Sequence, residues 1–102
     1  MAIGSIAPFR PTGTASLSAS TSPSTVALTG GGDTIVVTNA ATSLAYVRFG
    51  ADSSVSATNA DMPVLANSRV MLAANSLVTY AAAVLVSGTG TVLFTRGDGS
   101  FI

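Results

Sequence analysis

The side chains in this sequence that could ligate a metal or exchange a proton near neutral pH are four carboxylates, Asp33, Asp52, Asp61 and Asp98. His and Cys are both absent, which removes the commonest general base together with the strongest soft and borderline metal ligands. Asp52 and Asp61 fall in one loop and Asp98 lies near the C-terminus, so two carboxyls meeting in space would provide the acid and base of glycoside hydrolysis. Each of them, however, sits among turn-forming residues, where Asp ordinarily accepts nearby backbone N–H bonds. No run of spaced oxygen ligands suggests a Ca²⁺ loop. Turn stabilisation is therefore the stronger expectation, and neither a metal site nor a cofactor site is expected.

Ser and Thr hydroxyls are abundant, but a hydroxyl nucleophile needs a neighbouring base, and the chain has neither His nor Lys. The stretch Gly30-Gly31-Gly32-Asp33-Thr34 resembles a phosphate-cradling loop only in its glycines. No Lys follows, and its flanks read as strand and strand rather than strand and helix, so an inter-strand turn is expected there. The sequence thus predicts a protein that is not an enzyme, with no catalytic residues and no small-molecule substrate.

Four Arg balance the four Asp, leaving a formal net charge of 0. With no basic cluster, the chain cannot neutralise a run of phosphates, so no nucleic-acid partner is expected, and the same balance disfavours an anionic membrane surface. The most apolar stretch, residues 77–86, is far shorter than the roughly 20 residues of a bilayer helix. The first ten residues carry no basic segment ahead of an apolar run, so a chain made in the cytoplasm without a secretory signal is expected. Few charges beside 48% hydrophobic residues point to association with other protein surfaces, self-association included. A surface solvated by Ser and Thr hydroxyls is the alternative.

Stretches rich in β-branched and aromatic residues, separated by Gly, Asn and Ser, must position these groups. Strands are expected at 24–29, 33–39, 44–50, 69–72, 77–87 and 91–96. In 44–50, alternation puts Leu44, Tyr46 and Arg48 on one face and Ala45, Val47 and Phe49 on the other. Ala81-Ala82-Ala83 would favour a helix, but the flanking β-branched runs outweigh it. The short links at 40–43 and 88–90 suggest two hairpins, 33–39 with 44–50 and 77–87 with 91–96. One domain of 102 residues is expected: an all-β antiparallel sandwich, jelly-roll-like, over 25–102. Residues 1–24, with Pro8, Pro11, Pro23 and a Ser/Thr run, read as an extended N-terminal arm.

The candidate interface residues are Ile3, Ile6 and Phe9, which could anchor the arm, with Arg10 beside them, and Phe101 and Ile102 at the terminus. Arg48 with Phe49, and Arg96, join them, because each Arg stands near the end of a strand beside aromatic and Gly residues. A guanidinium there suits an inter-subunit contact or an internal pair, for example with Asp33 or Asp61.

The segments Leu28-Thr29-Gly30-Gly31-Gly32-Asp33-Thr34, Tyr46-Val47-Arg48-Phe49-Gly50, Asp61-Met62-Pro63-Val64-Leu65 and Val92-Leu93-Phe94-Thr95-Arg96-Gly97-Asp98-Gly99 resemble small β-rich virion proteins of tailed bacteriophages. The resemblance runs from Leu28 to Gly99 and is one of fold pattern. It implies a structural protein on the capsid surface, decorating or cementing the shell by binding neighbouring copies of the major capsid protein. A homo-oligomer is expected from the charge-poor, apolar composition. A tail, spike or fibre module is the alternative within that family. From a different class comes a carbohydrate- or receptor-binding sandwich using Tyr46, Tyr80 and the Asp-bearing loops.

Overall fold

A computed structural model describes residues 10–73 and 77–98. Eight strands follow one another: β1 (Arg10–Ala19), β2 (Ser24–Ala27), β3 (Thr34–Asn39), β4 (Ala45–Gly50), β5 (Met62–Val64), β6 (Ser68–Ala73), β7 (Tyr80–Leu85) and β8 (Gly90–Asp98). They form two antiparallel sheets of four strands each, ordered β1-β8-β3-β6 and β2-β7-β4-β5. Of consecutive strands, only β4 and β5 are neighbours in one sheet; every other link carries the chain from one sheet to the other.

Alternation explains why the sheets close on each other. Along β1 the inward positions are Ala15, Leu17 and Ala19, and along β8 they are Val92 and Phe94; β3 adds Ile35 and Val37, while β4 and β7 contribute Ala45, Val47, Ala81, Ala83 and Leu85. Phe94 stands opposite Ala15 on one side and Val37 on the other. Its ring meets Phe49 of the other sheet edge-on, with centroids 5.9 Å apart and planes at 85°, the arrangement aromatic quadrupoles prefer. The alanines opposite leave room for these rings, so the run at 81–83 is a buried strand, as expected.

The sequence-based reading needs correction at two places. From Arg10 onward the expected arm is part of the sandwich: β1 pairs with β8 from Arg10–Asp98 to Ala19–Gly90. Its inward residues are small, so it lacks the large apolar pattern that marks a core strand. Neither expected hairpin forms, because β3 and β4 lie in opposite sheets, as do β7 and β8. A four-residue link can turn back within a sheet or span the roughly 10 Å between sheets, and residue types at the turn do not decide which. At the first corner the deciding side chain is Asn39. Fully buried, it donates to the carbonyls of Ser43 (2.9 Å) and Val64 (3.0 Å) and accepts the Ala41 N–H (3.0 Å).

The glycine run is a close-packed corner. Thr12 Oγ1 donates to the Gly31 carbonyl (2.6 Å) and accepts the Gly31 N–H (2.9 Å), at the point where the β1 register breaks between Pro11 and Gly13. Gly32, at φ 128°, lies so near β8 that a Cβ would collide with the Gly97 carbonyl. Both the left-handed backbone and the missing side chain are required there.

Candidate functional site

The outward face of the β2-β7-β4-β5 sheet becomes apolar towards one end. Pro63, Tyr46 and Val84 stand in register across β5, β4 and β7. Two residue pairs further on, and so on the same face, the Val86 N–H donates to the Leu44 carbonyl (3.1 Å), extending the β4–β7 ladder beyond its last strand pair, Ala45–Leu85. Leu65 follows Val64 at the same level of β5. Leu65 is 69% exposed and Val86 52% exposed, although both sit at the ends of well-formed strands. Beside them lies a groove of about 440 Å³, with Tyr46 and Val84 on the sheet side and Pro23, Thr58 and Asn59 on its rim. None of these residues is charged.

The loops beneath this surface are braced. The Leu85 N–H donates to Ser20 O (2.7 Å), Ser43 Oγ to Ser87 O (2.6 Å), the Ala40 N–H to Thr91 O (2.9 Å) and the Asn67 N–H to Ala41 O (3.3 Å). All four strand links at this end are therefore tied to one another or to the sheets. Little ordering entropy remains to be lost when a partner covers such a surface.

The candidate charged residues occupy other places. Arg48, with its side chain 57% exposed, approaches Asp61 at 3.8 Å; this is one of the internal pairs anticipated, and a solvated pair of this kind contributes no more than about 1 kcal/mol. Asp61 is held chiefly by the Thr58 N–H at 2.6 Å. Arg96, expected at an interface, is only 4% exposed. Its Nε donates to the Gly32 carbonyl (3.1 Å) and its Nη1 to that of Val78. The alternation that turns Val92 and Phe94 inward turns Arg96 inward too, so it pins the glycine corner from inside. Phe49 likewise belongs to the interior, against Phe94. Arg10 is exposed at the start of β1. Ile3, Ile6, Phe9, Phe101 and Ile102 lie outside the described residues.

The carboxylates are engaged in turns. Asp98 Oδ1 accepts the Asp33 N–H (3.3 Å), and Asp33 Oδ1 accepts the Thr34 hydroxyl (3.1 Å). Asp52 accepts both the hydroxyl and the N–H (3.0 Å) of Ser54, and these two bonds hold its pKa below the ordinary carboxylate value. Its contribution to stability is thus present above the unfolded pKa and lost as acid protonates the group. Replacing Ser54 by Ala is expected to return the Asp52 pKa towards the ordinary value in an NMR titration; an unmoved midpoint would refute the assignment. Among the described residues no group of three or more acidic side chains is placed to hold a metal ion.

The sequence reading did not single out Leu65, Val86 or Pro63. The available signal was faint: large apolar residues one position past a strand end, followed by small or polar ones. The chain matches no family model, no curated protein and no solved structure.

Proposed function

We propose that this chain is a virion structural protein that decorates or cements a capsid by laying the Leu65–Leu44–Val86 surface across neighbouring major capsid subunits. The observation that carries the proposal is that surface: apolar, free of charge and rigidly braced at one end of a domain whose charges are few. Contiguous exposed apolar surface rimmed by polar residues is a mark of an interaction site, and a partner of complementary shape gains about 25 cal/mol for each Å² of apolar area covered. The strand order supports the same reading. Sheets ordered β1-β8-β3-β6 and β2-β7-β4-β5 are what two interlocked Greek keys produce, so we assign the domain to the jelly rolls, a fold recurrent in capsid proteins. Fold alone does not name a function, and the apolar surface is the stronger argument.

The test uses intact particles. The full chain should be found on the capsid by electron microscopy. A Leu65→Arg, Val86→Arg double variant should keep its circular dichroism yet lose at least about tenfold in affinity for the particle, equivalent to about 1.4 kcal/mol of binding. Absence of the chain from capsids, or an unchanged affinity of the variant, would overturn the proposal. Location on the tail instead would favour the tail or fibre alternative.

A second reading, carbohydrate binding, has the groove in its favour, since an aromatic ring beside an amide and a hydroxyl suits a sugar's apolar face and its hydroxyls. Binding on a glycan array that Tyr46→Ala abolishes would establish it.

A further inference from the structure

A sandwich has four sheet edges, and natural sandwiches protect each of them against pairing with another chain. Here β1 carries Pro11 and a break in register. The β2 edge is four residues long and is preceded by Pro23. The β5 edge is three residues long with Pro63 at its centre. The fourth edge, β6, has none of these devices: its six residues Ser68–Ala73 pair with β3 in unbroken register and contain no Pro. Among the described residues no further strand lies beyond it.

A second, independent observation concerns the core beneath that edge. At the β1 edge the inward residues Ala15, Leu17 and Ala19 are fully buried, whereas the inward residues of β6, Val70 and Leu72, are only half buried although they pack on the core. The sandwich is closed along one side and open along the other.

We propose that β6 pairs antiparallel with β6 of a second copy of this chain, joining two four-stranded sheets into one of eight strands about a two-fold axis. The strand suits itself. With Met71 at the axis, Val70 faces the second copy's Leu72, so the half-buried core residues cover each other. Arg69, the strand's single charge, then faces the second copy's Ala73, and no like charges meet. Sliding the pair so that Arg69 met its own counterpart would be repulsive, and a one-residue slip would set the inward-facing Val70 opposite the second copy's outward-facing Met71. A chain of zero net charge adds no long-range repulsion between copies. The inference is independent of the capsid reading and holds for any location of the protein.

Sedimentation of the full chain should show a dimer, and Met71→Lys, which sets two ammonium groups opposite each other, should yield a monomer with unchanged circular dichroism. Because the chain has no Cys, a single introduced thiol reports on register. Under mild oxidation Met71→Cys should form a covalent dimer, since directly opposed Cβ atoms lie about 5 Å apart, near disulfide reach. Ala73→Cys, about four residues from its own counterpart and hence roughly 13 Å away, should not. A wild-type monomer at sub-millimolar concentration, a dimer indifferent to Met71→Lys, or equal cross-linking of the two Cys variants would overturn the proposal.

Discussion

Replacing Phe94 by Ala is expected to destabilise the domain by about 3–5 kcal/mol. The ring is fully buried, stands between Ala15 and Val37 in its own sheet and meets Phe49 edge-on from the other. Much of the surrounding core is alanine: Ala15, Ala45, Ala81 and Ala83 are all buried and have no side-chain rotamer that could swing into the vacated space. The cavity would therefore stay open, and the cost should fall at the upper end of the range. Small domains have about 5–15 kcal/mol of stability in total, so the variant would be close to unfolding. Urea denaturation should show the midpoint falling sharply with an unchanged slope. A loss under about 1 kcal/mol would mean that the two sheets pack differently from the description above.

Asn39→Leu, which keeps the branched shape of the side chain but replaces its amide by methyl groups, should cost about 3 kcal/mol. Three backbone groups, the buried Val64 carbonyl and Ala41 N–H and the part-buried Ser43 carbonyl, depend on the Asn39 amide. Each buried polar group left without a partner costs about 1–3 kcal/mol, and the three share one neighbourhood, so their costs do not simply add. Hydrogen exchange separates this mechanism from a packing defect: the Ala41 amide should lose protection beyond the global change. If Asn39→Leu were neutral and Ala41 stayed protected, another group would have to hold the corner.

These two residues show what was legible in the sequence. The positions of most strands were readable, because Ile35-Val36-Val37, Tyr46-Val47 and Val92-Leu93-Phe94 have no better use than a pleated, buried ladder. The alternation in 44–50 separated Ala45 and Val47 from Leu44, Tyr46 and Arg48 without saying which face meets the core; the structure turns Ala45 and Val47 inward. Pairing was not readable. A short link between two strands looks the same whether it folds back in plane or crosses to the facing sheet, and the difference rests on one amide, Asn39, reaching a carbonyl on a strand twenty-five residues away. The first strand was hidden by its own composition, since Ala15, Leu17 and Ala19 alternate with Thr and Ser too weakly to stand out from a polar tail. At the candidate site, an internal partner for Arg48 was anticipated in Asp61. For Arg96 an internal pair with a carboxylate was one of two readings; its partners are instead the backbone carbonyls of Gly32 and Val78, and a guanidinium turned onto a core face is rare. Leu65 and Val86 became visible only once register set them on either side of Leu44.

The strand order also governs how the chain reaches this state. Among the described residues β1 pairs within its sheet only with β8, and β2 only with β7, so these two strands have no ladder to join until the last strands of the domain have been made. Closing such distant ends first costs loop entropy that later contacts repay. Folding of this domain should therefore wait for β8 and take on the order of milliseconds to seconds, with the unguarded β6 edge exposed to aggregation throughout that interval.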